Sequence, residues 1–293
     1  MPLTFLLVLC LLLVDSLHFV FARLLLPYLP PGTSALYVLA VATVETGLYL
    51  GWRGGLQLSL LRRHLPFFLS IGFLVAGSTT INYTAVAYLD PGTASLLAQT
   101  SILFALLFGL FWLREKLRPA QLAGSGLALA GVFVISFQPG DFLRLGALMV
   151  LGGAFMYALH AAIVKRYGGE MEFVNFFFYR VACTTGFLLL FASLRGELLW
   201  PSWAAWPYLL LAGSVDVTLS RVLYYRSLRL LPISFHAIVL TVSPAITILW
   251  SLLLFSERPS PTGLAGGAAV LLGVLIVTLN RTRPQPNAPA QTE

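Results

Sequence analysis

Charge is scarce in this sequence. Asp, Glu, Lys and Arg make up 10% of the chain, where a soluble domain carries roughly 25%. That shortage excludes an ordinary water-soluble fold, because 58% of the 293 residues are hydrophobic and no interior of that size could hide them. Cysteine is scarcer still. Cys10 and Cys183 both fall inside apolar stretches, so they frame neither a disulfide set nor a metal site and read as small buried hydrophobes. No metal-ligand cluster, phosphate-cradling loop or nucleophile elbow is present, and no spacing holds a nucleophile beside a base. The expectation is a protein that is not an enzyme and carries no metal and no cofactor.

Long apolar runs take the place of charge, and mean hydropathy is +0.88. Crossing the hydrocarbon of a bilayer takes about 20 mostly apolar residues. Ten segments qualify: 3–26, 33–52, 66–88, 92–113, 119–138, 144–165, 173–195, 203–228, 232–255 and 261–280. Turn chemistry marks the breaks, at Leu29-Pro30-Pro31-Gly32, Leu89-Asp90-Pro91-Gly92, Gln138-Pro139-Gly140-Asp141 and Ser256-Glu257-Arg258-Pro259, since proline removes a donor and glycine permits unusual dihedrals. Residues Met1 to Phe21 lack the basic start and cleavage site of a secretory signal and read as the first span. Residues 284–293 are polar and proline-rich, which predicts a disordered tail.

The net charge of +7 lies in short clusters between apolar runs, not in one continuous basic surface, so nucleic acid is not an expected partner. With a cytoplasmic N-terminus, twelve of the eighteen basic residues fall in inner loops and the tail, among them Arg53, Arg62, Arg63, Arg114, Lys116 and Arg118. Only Arg23, Arg144, Arg195 and Arg258 fall outside. The positive-inside effect therefore predicts both termini in the cytoplasm.

Laid over itself at an offset of 142 residues, the chain aligns its halves without a gap. His18 meets His160, Tyr37 meets Tyr179, Tyr83 meets Tyr225, Glu115 meets Glu257, Pro119 meets Pro261, Gly124 meets Gly266 and Gly131 meets Gly273. Scarce residue types coinciding at one offset point to an internal duplication. Five spans per half is an odd number, so the second half must enter the membrane upside down. The predicted fold is an all-α integral membrane protein with ten transmembrane helices in two inverted five-helix repeats, residues 3–138 and 144–280. Inverted repeats put a substrate site near the midplane and suit alternating access.

The run Leu113-Arg114-Glu115-Lys116-Leu117-Arg118-Pro119 with Gly124 and Gly131, repeated as Phe255-Ser256-Glu257-Arg258-Pro259-Ser260-Pro261 with Gly266 and Gly273, resembles the close of an EamA-type repeat. The chain is thus similar to ten-span members of the drug/metabolite transporter superfamily over nearly its whole length. The resemblance implies an exporter of amino acids or other small metabolites in a cell inner membrane, working by alternating access. Its implied partners are a small-molecule substrate and the lipid bilayer, with no obligate protein partner. Arg180 and Ser243-Pro244 resemble family positions whose first-half counterparts are Val38 and Ser101-Ile102, so the two halves have diverged.

Polar groups inside spans are costly and usually face a bundle interior or cavity. Asp15 and His18, three residues apart, share a face of one continuous helix and form either a proton-accepting pair or a satisfied interior hydrogen bond. His160, as repeat mate of His18, is expected to face the same cavity; His236 is either cavity-lining or structural. Arg221 and Tyr225, four apart, share a face, as their mates Thr79 and Tyr83 do; the arginine suits a substrate carboxylate or phosphate, or else pairs with Asp216 or Glu45. Asp216 joins Asp15 and His18 as a candidate for proton coupling. Arg180 reads as an anchor bonded to carbonyls. Asn82 and Gln99 are candidates for substrate contact or for bonds between helices. A sugar-phosphate or nucleotide-sugar exchanger and a non-transporting membrane sensor are the other readings left open.

Overall fold

The computed structural model describes residues 2–112, 118–136, 145–169, 171–230 and 233–280, with the backbone alone at 2–5, 228–230 and 233–239. The expected tail at 284–293, Glu115 and the turn at 138–141 lie outside the described residues, as does the side chain of His236. Everything regular among the described residues is helical: α1 (Pro2–Asp15), α2 (His18–Leu25), α3 (Pro31–Arg53), α4 (Leu58–Arg63), α5 (Leu65–Ala85), α6 (Pro91–Ala98), α7 (Ser101–Phe111), α8 (Pro119–Ser136), α9 (Leu145–Tyr167), α10 (Phe173–Leu194), α11 (Trp206–Leu211), a π-helical segment (Ala212–Leu219), α12 (Ser220–Leu230), α13 (Ile233–Phe255) and α14 (Pro261–Leu279).

Eight of the described stretches are long and apolar enough to cross a membrane, and a shorter apolar helix covers Leu240–Phe255. The chain is a multi-pass membrane protein. The expected span at 203–228 is not among the eight: the π-helical segment interrupts it, and α12 carries Arg221, Arg226 and Arg229.

Proline starts several helices, where its missing N–H is of no consequence. Asp90 caps α6, accepting from the Thr93 amide at 2.8 Å and the Thr93 hydroxyl at 2.6 Å. Ser260 caps α14 by accepting from the Gly263 amide at 3.0 Å. Glu172 caps α10 through the amides of Val174 and Asn175. Burial pushes the Glu172 carboxyl up, but these bonds outweigh it and hold the group below the usual carboxylate range.

With lipid as solvent, helices associate by close packing of small residues rather than by burial of apolar area. The tightest crossing joins α8 to α14. A Cβ on Gly131 would run into the backbone of Gly266 and Val270, and one on Gly124 would meet the Gly273 carbonyl. Gly266 and Gly273 are blocked in return by Gly131 and Gly124. On α3 and α10, Thr43 and Thr185 share a hydrogen bond of 2.9 Å. Ser78 on α5 donates to the Gly153 carbonyl of α9 at 2.8 Å. Leucines and phenylalanines such as Phe111, Leu253 and Phe133 stay exposed on the bundle exterior, which is where lipid requires them.

The crossing yields a prediction. Gly131→Val should cost about 1–3 kcal/mol through overpacking and lower the thermal unfolding midpoint in detergent. Gly126→Ala, whose Cβ would meet open space, should leave that midpoint unchanged or raise it.

Candidate functional site

Backbone inside a membrane keeps irregular structure only where protein or a water-filled space satisfies it. Four interruptions occur among the described residues: the turn at Ser16-Leu17 between α1 and α2, the turn at Gln99-Thr100 between α6 and α7, the π-helical segment, and Pro244 within α13. All four border one cavity of about 420 Å³. α5, α9 and α10 complete its wall with Asn82, Tyr83, Tyr157 and Arg180. Freed backbone groups are paired there. The Ser16 carbonyl accepts from the Thr247 hydroxyl at 2.9 Å, and the Trp250 indole donates to the Ser16 hydroxyl at 3.1 Å. Gln99 donates to the Leu240 carbonyl at 3.4 Å.

The cavity holds both signs of charge. His18 Nδ1 lies 3.0 Å from Asp216 Oδ2 across α2 and the π-helical segment. The His18 ring meets Tyr83 edge-on at 5.6 Å. Asp15 stands beside Ser243 and feels Arg221, Asp216 and His18. Arg221 places its guanidinium 5.7 Å over the Tyr224 ring, and Tyr157 lies within the fields of both Arg221 and Arg180. Arg180 Nε, Asn82 Oδ1 and the Tyr83 hydroxyl are buried without hydrogen-bond partners among the described residues. Donors and acceptors left unpaired around a polar cavity are groups that a ligand can complete.

The structure brings together Asp15, His18, Asn82, Tyr83, Gln99, Asp216 and Arg221 in one lining. It corrects four expectations. Asp15 and His18 do not ride on one continuous helix, because α1 ends at Asp15 and α2 begins at His18; the intervening turn sends His18 to Asp216 instead. His160 is buried beside Tyr157, at 5.3 Å between rings, and is not part of the lining. Its helix α9 runs unbroken, so it lacks the turn that aims His18 at the cavity. Tyr225 packs against Phe173 while its neighbour Tyr224 lines the cavity: of the two tyrosines one turn beyond Arg221, the cavity lies on the side of the nearer. Arg180, expected as an anchor to carbonyls, lines the cavity.

Arg221 forms no ion pair within 4.0 Å among the described residues, and Glu45 is instead bonded to Ser214 and Thr218. Tyr157 and Tyr224 were missed, although a signal for both existed. They stand 142 residues beyond Asp15 and Asn82, at the repeat offset of two residues already singled out.

Comparison with known proteins gives a consistent picture. The profile of the EamA-like transporter family matches residues 2–137 and 144–279. A protein named riboflavin transporter from Vibrio cholerae is 26% identical over 261 residues, covering 87% of this chain and 85% of its own. A probable terminal-alkyne amino-acid exporter of Streptantibioticus cattleyicolor is 27% identical over 202 residues, 67% of this chain and 68% of its own. An uncharacterized transporter of Bacillus subtilis is 26% identical over 193 residues, and the match spans 63% of that protein's length. One protein of known crystal structure superposes with a TM-score of 0.64 at 22% identity, over 94% of this chain and 97% of that one, a likeness of fold alone.

Thr247→Val should strand the Ser16 carbonyl at the break in the first span, at a cost of about 1–3 kcal/mol. Thr247→Ser should restore it. Thermal unfolding in detergent reads the difference, and equal midpoints for the two variants would refute the pairing.

Proposed function

Because the chain belongs to the EamA-like transporter family, we propose that it is a secondary transporter exporting small zwitterionic metabolites such as amino acids by alternating access. The names of its family and relatives are those of transporters and exporters, which supports a transport role over an enzymatic one. The observation that carries the finer reading is the charge layout of the cavity: Arg180 and Arg221 on α10 and α12, Asp15 and Asp216 on α1 and the π-helical segment. A free carboxylate suits the arginines, which offer several N–H donors in a fixed fork. An ammonium suits the aspartates. Tyr83, Tyr157, Tyr224 and Asn82 supply neutral contacts to the remainder of a substrate.

Ten spans in two inverted repeats, residues 3–138 and 144–280, remain the architecture we favour, with both termini in the cytoplasm and the protein in a cell inner membrane. Two contacts support it. Thr43 and Thr185 are 142 apart and bond to each other, as residues on a twofold axis relating the halves would. Gly124 meets Gly273 while Gly131 meets Gly266, which is the reciprocal pattern of a self-complementary interface.

Proton coupling is part of the proposal, with His18 and Asp216 as the exchanging pair and Asp15 beside them. Substrate binding and protonation compete there, because an incoming ammonium replaces the proton as the positive partner of Asp216. The pair of cavity arginines also suits a doubly charged phosphate, so a sugar-phosphate exchanger is the second reading.

Counterflow in proteoliposomes tests these points. A mixed set of amino acids should exchange with a labelled one, and a sugar phosphate should not. Arg221→Gln should weaken exchange by about tenfold or more, since a bond to a charged group contributes roughly 1.5–3 kcal/mol. Asp216→Asn should abolish the dependence of net flux on an imposed pH gradient. Arg118→Cys and Pro259→Cys, each in a background without Cys10 and Cys183, should react with impermeant reagent from opposite sides; labelling from one side overturns the inverted arrangement.

A further inference from the structure

One carboxylate inside the bundle lies apart from the cavity. Glu45 occupies α3 eight residues before Arg53, about 12 Å along the helix axis, which puts it within the hydrocarbon. It is half-buried at the seam with the π-helical segment, where Val41 and the Val38 carbonyl leave room only for a glycine at Gly213. Ser214 donates its hydroxyl to one carboxylate oxygen, Oε1, and Thr218 donates to the other, Oε2, at 2.8 Å. No cation lies within 4.0 Å of it among the described residues.

Among the described residues, no titratable group on the elements packed against α3 bonds to Glu45. Arg180 of α10, Asp216 of the π-helical segment, His18 of α2 and Tyr83 of α5 line the cavity, which Glu45 does not. Arg23 of α2 is held by Glu257 and by the Val86 carbonyl at 2.7 Å. On α10, Tyr179 packs on Phe68, and Cys183 abuts Gly72. Tyr208 of α11 stacks on Tyr28.

An ionised carboxylate at this depth without a cation is costly, and a proton relieves the cost more simply than any side chain present. The hydroxyl partners allow both forms. The Thr218 hydroxyl has a second acceptor within reach, the Gly213 carbonyl at 3.1 Å. When Glu45 is ionised, Thr218 donates to Oε2. When a proton binds at Oε2, the new O–H donates to Thr218 Oγ1, and the threonine turns its own hydrogen to Gly213. No buried donor is left unpaired in either state.

We infer that Glu45 is a proton-binding site of the transport cycle, separate from the substrate cavity, whose carboxyl exchanges hydrogen-bond roles with Thr218 as the proton arrives and leaves. The link to the cavity is short. Ser214 and Thr218 are one turn apart and face α3, while Asp216 between them points the other way, to His18. A change in how α3 grips the π-helical segment is therefore felt at the ion pair in the cavity. The coupling rests on the transport reading above, whereas proton binding at Glu45 does not.

Infrared difference spectroscopy of the full chain across a pH titration tests the site, beside transport in proteoliposomes. The protonated-carboxyl carbonyl band should contain a component that Glu45→Gln removes and that Ser214→Ala with Thr218→Val shifts to the frequency of a less hydrogen-bonded acid. Glu45→Gln should also lose accumulation driven by a pH gradient while retaining exchange of labelled for unlabelled substrate. A band unchanged by both variants overturns the site. A band that responds, with accumulation equal to that of the unaltered chain, overturns the coupling. Absence of any transport by the unaltered chain counts against the transport reading and leaves the infrared result to decide the site.

Discussion

Hydrocarbon offers no partner to a peptide N–H or C=O, and this constraint organises the molecule. Regular helix satisfies it everywhere on the exterior, which is why residues such as Leu253 and Phe111 can face outward along otherwise featureless helices. Where regularity fails, another group has to complete the backbone. The turns after Asp15 and Ala98, the π-helical segment and Pro244 all gather around a single space, so the irregular backbone and the polar side chains share one compartment. Thr247 and Gln99, by donating to the Ser16 and Leu240 carbonyls, serve the fold and the wall of the cavity together.

The constraint also explains how charge is distributed. A chain with so few ionisable groups places most of its intramembrane ones where opposite signs face each other: Asp216 against His18, and Asp15 within the field of Arg221. Arg23 and Glu257 form a further pair away from the central cavity, beside a second cleft of about 580 Å³ that also holds Tyr28 and Tyr208. Glu45 departs from the pattern, since its partners are hydroxyls.

Much of this was legible in the sequence. Helix starts at Pro31, Pro91 and Pro261 coincide with the turn signals read at Pro30-Pro31, Asp90-Pro91 and the segment before Pro261, because proline chemistry acts locally. Asp15, His18, Asn82, Tyr83, Gln99, Asp216 and Arg221, which line one cavity, stand out in the sequence as polar groups inside apolar runs or as repeat mates of such groups. Their pairing was harder to see. Periodicity treats a span as one continuous helix, and the break between Asp15 and His18 redirects the histidine across 198 positions to Asp216. Likewise the repeat offset relates His160 to His18 only while both helices keep the same course, and α9 has no such break. The π-helical segment has no periodic signature in a run as short as the eight residues Ala212–Leu219. The repeat offset favours Tyr225, whose mate Tyr83 is identical, over Tyr224, whose mate Asn82 is not, although Tyr224 is the one that lines the cavity.

The crossing of α8 and α14 has a practical consequence. Its two helices touch through backbone at both Gly124 and Gly131, with only stiff branched side chains such as Ile135, Val270 and Ile276 beside the contact, so the pair has little freedom to slide or splay. Distances measured from spectroscopic labels on this pair to any other helix then refer to a common internal datum, against which movements elsewhere in the bundle can be told apart from tumbling of the whole.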